Sequence, residues 1–133
     1  MAGNTERLWL AAMIAAAPAL PVHAASVACH VTYGGETRTI SAAATTRPLA
    51  VAPVSIGSYF MFRIVFRQEP ADLATIRLTT YADRDEGPTI IHQATYAYPP
   101  VPAAVHGFTG LNFVYEPVRD GELQYWCEMN DAP

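Results

Sequence analysis

Lysine is absent from this 133-residue chain, and only two cysteines occur. Eight arginines stand against twelve acidic residues, a formal net charge of −4. No basic patch is visible in the sequence, so the electrostatic footprint of a nucleic-acid binder is missing and no nucleic-acid partner is expected. Windows rich in Glu, Lys and Leu are also lacking, while aromatic and β-branched residues are plentiful, which favours strands over helices. No repeat of fixed period occurs. After residue 20 no apolar run approaches the roughly twenty residues needed to cross a bilayer, so no membrane span is expected in the folded domain.

The N-terminus reads as a leader. Met1 to Arg7 is short and polar, and Leu8 to Leu20 is an apolar run of thirteen residues. Val22 and Ala24 then place small residues at −3 and −1 of a signal-peptidase site, which puts the cut after Ala24. The rivals are an uncleaved anchor and an ordinary buried helix. On the favoured reading residues 1–24 are a signal peptide. Residues 25–133 form one domain of modest size, placed in the periplasm or outside the cell.

Cys29 and Cys127 lie near the two ends of that domain. An even cysteine count in an exported chain reads first as a disulfide. Strand phase agrees. Val27, Cys29, Val31 and Tyr33 share one side of "SVACHVTY", and Leu123, Tyr125, Cys127 and Met129 share one side of "GELQYWCEM". Each cysteine therefore falls on the apolar face of its own strand. If the two strands face each other, the thiols meet inside the core. Closing a loop of about 100 residues stabilises by up to about 4.7 kcal/mol in the chain-entropy model. The alternatives are a lipid-modified Cys29 in "SVAC" and a pair of free or metal-binding thiols.

The rest of the chain alternates in the manner of strands and turns. Gly34-Gly35 marks a tight hairpin. Residues 42–55 read as a loop or irregular edge with one short strand around Leu49 to Val51. In "SIGSYFMFRIVFRQ", Phe60, Phe62, Ile64 and Phe66 form one face and Tyr59, Met61, Arg63, Val65 and Arg67 the other. That pattern predicts a central strand with one solvated side. "LATIRLTTYA" points Ala74, Ile76 and Leu78 inward. "DRDEGP" turns the chain, and "TIIHQATYAY" places Ile90, His92, Ala94 and Tyr96 on one face. Residues 99–107, "PPVPAAVHG", cannot be a central strand and are expected to run over an edge. Leu111, Phe113 and Tyr115 share one side of the next strand. About seven strands with no helix after the leader predict an all-β fold, a single antiparallel sandwich, with a small barrel as rival.

The last strand resembles the tyrosine-corner strand of immunoglobulin-like domains, in which a turn with Asp and Gly precedes Tyr-x-Cys, as Asp120, Gly121, Tyr125 and Cys127 do here. The resemblance implies an immunoglobulin-like sandwich, an architecture that hosts unrelated functions. The whole chain also resembles small exported bacterial proteins, a likeness that carries no chemistry.

Candidate chemistry is sparse. No GxSxG-type elbow accompanies His30, His92 and His106, so no catalytic residues are assigned. Asp83, Asp85, Glu86, Glu116 and Glu122 could supply a carboxylate pair for glycoside hydrolysis. Asp83, Asp85 and Glu86 also have a faint calcium look. A solvated hairpin tip accounts for those three more simply. A copper-type site could draw on His30, His92, His106, Met61 and Met129. No HxH or MxxM spacing supports it, and His92 fits a hydrogen-bonded core histidine. Trp126, opposite Cys127 on its strand, and Tyr59 and Tyr81 are the candidate binding surface, unless a loop covers them. These features predict a non-catalytic binding or accessory module stabilised by one disulfide. It needs no cofactor and takes a protein or carbohydrate partner. A periplasmic metal-handling protein is the alternative.

Overall fold

A computed structural model describes Gly3, residues 11–18 and residues 24–130. The expected leader falls largely outside the described residues. Eight strands are present among them: β1 (Ser26–Tyr33), β2 (Glu36–Ala43), β3 (Val54–Ile56), β4 (Phe60–Arg67), β5 (Thr75–Arg84), β6 (Gly87–Ala97), β7 (Asn112–Glu116) and β8 (Gly121–Asn130). They form two antiparallel four-stranded sheets that pack as a sandwich. Sheet A has the order β2-β1-β8-β7 and sheet B the order β3-β4-β5-β6. No helix long and apolar enough to cross a membrane occurs among the described residues.

Alternation explains the core. The inward row of β4, Phe60, Phe62, Ile64 and Phe66, is almost wholly buried, as are Ile76 and Leu78 of β5. They meet Val27, Cys29 and Val31 of β1 and Leu123, Tyr125 and Cys127 of β8. Each large apolar side chain so buried contributes about 1.5–3 kcal/mol. The Gly34-Gly35 turn has positive φ at both positions, +63° and +78°, and closes the β1–β2 hairpin with Tyr33 opposite Glu36.

Every hydrogen-bonded strand pair is consecutive in sequence except β1 with β8. The two sheets are thus a meander closed by its first and last strands, with no long return connection of the Greek-key kind. Cys29 and Cys127 are direct partners in the β1–β8 register and are bonded, with Cα atoms 4.0 Å apart. The bridge therefore joins neighbours within sheet A, where the sequence suggested strands facing one another. It leaves no free cysteine among the described residues. Tyr125 does not form a tyrosine corner. Its hydroxyl crosses to sheet B and shares a 2.7 Å hydrogen bond with His92 Nε2.

Four further expectations need correction. The short strand placed around Leu49 to Val51 lies at β3, and Pro48–Ala50 forms a 3-10 turn. The outer side of β4 is only partly solvated. Arg63 donates from Nε to the Val51 carbonyl at 2.8 Å and from Nη2 to the Pro48 carbonyl at 2.6 Å, and so straps residues 48–51 across it. A bulge in the β5–β6 register between Thr80 and Tyr81 pairs Thr80 with His92 but Tyr81 with Ile90. His92 and Tyr96 thus keep to the inner face while Ile90 turns outward and is exposed. Finally, the sheet-B surface gathers arginines that are scattered in sequence. Arg63 and Arg67, which alternation already put on one side of β4, are joined by Arg77 of β5 opposite Val65, a basic cluster that only the strand pairing completes.

Candidate functional site

The outer face of sheet A carries the most unusual surface. Register and alternation put His30 of β1 directly opposite Trp126 of β8, on the solvent side of the disulfide. The two rings stack with centroids 4.1 Å apart and planes inclined at 22°. Both nitrogens of His30 are engaged: Nε2 lies 3.1 Å from Glu128 Oε2, and Nδ1 lies 3.2 Å from Thr39 Oγ1. The imidazole is therefore fixed flat against the indole. His106 approaches Trp126 from the other side, edge-on at 5.6 Å.

The loop holding His106 follows from its composition. Residues 99–111 have too many prolines for a ladder strand, yet they run beside β8 beyond the start of β7. Phe108 donates its backbone N–H to the Cys127 carbonyl at 3.0 Å, and the Cys127 N–H donates to Thr109 Oγ1 at 2.9 Å. Phe108 plugs the core and meets Tyr96 edge-on at 5.2 Å, which closes the seam between β6 and β8. Gly107 makes this approach possible. It has φ +63°, and a Cβ there would lie 2.0 Å from the Cys127 carbonyl oxygen. A groove of about 380 Å³ opens between this loop and the end of β8, bounded by Pro102, Val105, His106, Phe108 and Glu128.

β7 extends the patch. Val114 and Glu116 point inward, so the row Leu111, Phe113 and Tyr115 faces solvent, with 40%, 60% and 53% of each residue exposed. Phe113 stands opposite Gln124, one step along β8 from Trp126, and Tyr115 opposite Glu122. Tyr115 O–H donates to Asp120 Oδ1, and this bond raises the phenol pKa above its usual value. Inward-facing Glu116 is 1% exposed but fully partnered. It accepts from Arg84 Nη2 at 3.0 Å and from the backbone N–H groups of Val118 and Arg119 at 3.0 and 2.9 Å. Desolvation alone would raise the Glu116 carboxyl. Its hydrogen bond from Arg84, those from the two N–H groups and the Arg84 charge outweigh that and hold it below the ordinary value.

The three aromatic residues singled out from the sequence are not brought together. Trp126 is half-buried on sheet A, and Tyr81 is half-buried on the opposite outer face, paired with Met61. Tyr59 lies in the β3–β4 turn under the Arg119 guanidinium, 4.6 Å from its ring centre. Leu111, Phe113 and Tyr115 replace them around Trp126. Their shared strand phase was visible in the sequence, but not which side of the strand was wet.

The histidines are divided as well. His30 and His106 flank Trp126 on the surface, whereas His92 faces the interior, where burial lowers its pKa. Burial also raises the pKa of its partner Tyr125 far above the usual phenol value. Among the described residues no three of His, Cys, Asp or Glu come together as a metal site. Met61 lies on the outer face of sheet B, away from the histidines, whereas Met129 of β8 borders the same groove as His106, with His92 on the inner face of the other sheet. Asp83, Asp85 and Glu86 stay at the β5–β6 turn, and Glu122 lies on the outer face of β8, apart from buried Glu116. No protein-family model, no curated protein and no solved structure matches the chain.

Proposed function

We propose that this chain is an exported, non-catalytic binding module that engages a protein or carbohydrate partner through the outer face of sheet A. The observation that carries this is the solvent-facing row Leu111, Phe113 and Tyr115 beside the stacked pair His30–Trp126. Aromatic surface left in water forgoes burial that elsewhere contributes about 25 cal/mol per Å². A contiguous patch of it rimmed by polar groups is the usual mark of a recognition surface. The rim here is Glu122, Gln124 and Glu128 on β8 and Thr32 and Thr39 on β1 and β2. A sheet face is broad and open, which suits an extended partner better than an enclosed small molecule. Export is supported by the Cys29–Cys127 bridge, which persists in oxidising compartments.

Photo-crosslinking in the native compartment tests the proposal. With a photoreactive residue at position 113, a discrete adduct with a protein or glycan is expected. The same probe at position 95, on the outer face of sheet B, should yield none. Equal labelling from both positions, or none from 113, contradicts it.

A further inference from the structure

Arg63, Val65 and Arg67 alternate along the outer row of β4, and Arg77 of β5 stands directly opposite Val65. Three guanidinium-bearing side chains thus surround one nearly buried valine. Like charges set together on one sheet face are unfavourable. Here they are also uncompensated, since no carboxylate lies within 4.0 Å of any of the three among the described residues. Acidic residues outnumber arginines in this chain, so the arrangement is not forced by composition. On the outer rows of β4 to β6 the single acid is Asp83 at the far end of β5, where its carbonyl accepts from Arg119 Nη1.

The three arginines border a groove of about 230 Å³, closed on one side by Pro48 and Leu49 and bordered by Thr75. Arg63 is committed to the Pro48 and Val51 carbonyls, so it builds the wall of this groove. Arg67 and Arg77 are left as a diagonal pair across β4 and β5. Two planar guanidinium forks at that spacing, with a hydroxyl beside them, match a tetrahedral oxyanion taken by charge-assisted hydrogen bonds.

We propose that this groove is an oxyanion-binding site for phosphate, free or as a phosphomonoester, with Arg67 and Arg77 as the ligand-contacting cations and Arg63 as a positioning residue. It is independent of the aromatic face, which lies on the other sheet.

Titration of the full chain with inorganic phosphate, followed by backbone NMR shifts, tests it. Saturable shifts centred on Thr75 and Arg77 are expected in the wild-type protein and should weaken with added sodium chloride. Arg67→Gln and Arg77→Gln should each reduce affinity about tenfold, the loss of one charge-assisted contact, while Phe113→Ser leaves it unchanged. The wild-type shift map decides the matter even if a variant folds poorly. A parallel arm measures cosedimentation with phosphatidylglycerol vesicles and with phosphatidylcholine vesicles. Capture by the anionic vesicles without any response to inorganic phosphate would replace the pocket with a flat membrane-facing surface and overturn the proposal. So would phosphate shifts located elsewhere, or an affinity indifferent to both substitutions.

Discussion

Gly107 occupies a left-handed conformation with the Cys127 carbonyl where its Cβ would be. Gly107→Ala must therefore push the 99–111 loop off β8 or strain its backbone. A loss of about 2 kcal/mol is expected in chemical denaturation, together with displacement of His106 from Trp126. His92 governs a different property. Its folded pKa is lowered by burial, so on acidification the unfolded chain takes up the proton first. Its contribution is intact above the ordinary imidazole value of about 6.5 and is lost as pH falls toward the lower folded value. His92→Gln keeps a hydrogen-bonding partner for Tyr125 but does not titrate. Denaturation midpoints measured from pH 8 downward should show a steeper acid decline in the wild-type protein than in the variant, and parallel curves would refute the assignment.

At the scale of elements, β4 was legible because its four inward residues alternate without interruption and no charge competes for that face. β6 was legible only in part. The bulge that turns Ile90 outward is set by pairing with β5, and no residue within β6 announces it. β7 shows why an apolar row alone does not identify the buried side. Leu111, Phe113 and Tyr115 look like the core face until Glu116 is seen to be neutralised by Arg84, 32 positions away in sequence, and by two backbone N–H groups. The inverted face has a direct mutational signature. Val114→Ala should cost about 2 kcal/mol, whereas Phe113→Ser, though it removes far more apolar surface, should fall within about ±0.5 kcal/mol. Thermal unfolding of the two variants side by side checks the order, and a larger loss at Phe113 would put that residue in the core.

For the whole molecule, the all-β sandwich and its disulfide could be read from alternation and cysteine arithmetic, because both depend on local pattern and on compartment. The strand order could not. Whether β1 and β8 face each other across the core or lie side by side depends on contacts between the ends of the chain, and Cys29 and Cys127 have the same strand phase in either case. The same limitation hid both surfaces. Trp126 and Tyr81 are each outward on their own strands, yet side-by-side pairing of β1 with β8 puts them on opposite sheets. Arg77 joined Arg63 and Arg67, already on one face of β4, only through the β4–β5 register. The molecule is consequently two-sided, with aromatic residues and a carboxylate rim on sheet A and, on sheet B, three arginines with no carboxylate partner among the described residues.

Hydroxyl-radical footprinting, comparing the protein in its own compartment with the purified protein, addresses this division of labour most directly. Phe113, Tyr115 and Trp126 should be oxidised readily in the purified sample and protected in the compartment, while Tyr81 is modified equally in both. Unchanged oxidation of the sheet-A aromatics in the two samples would mean that nothing binds there, and the proposed role would fail.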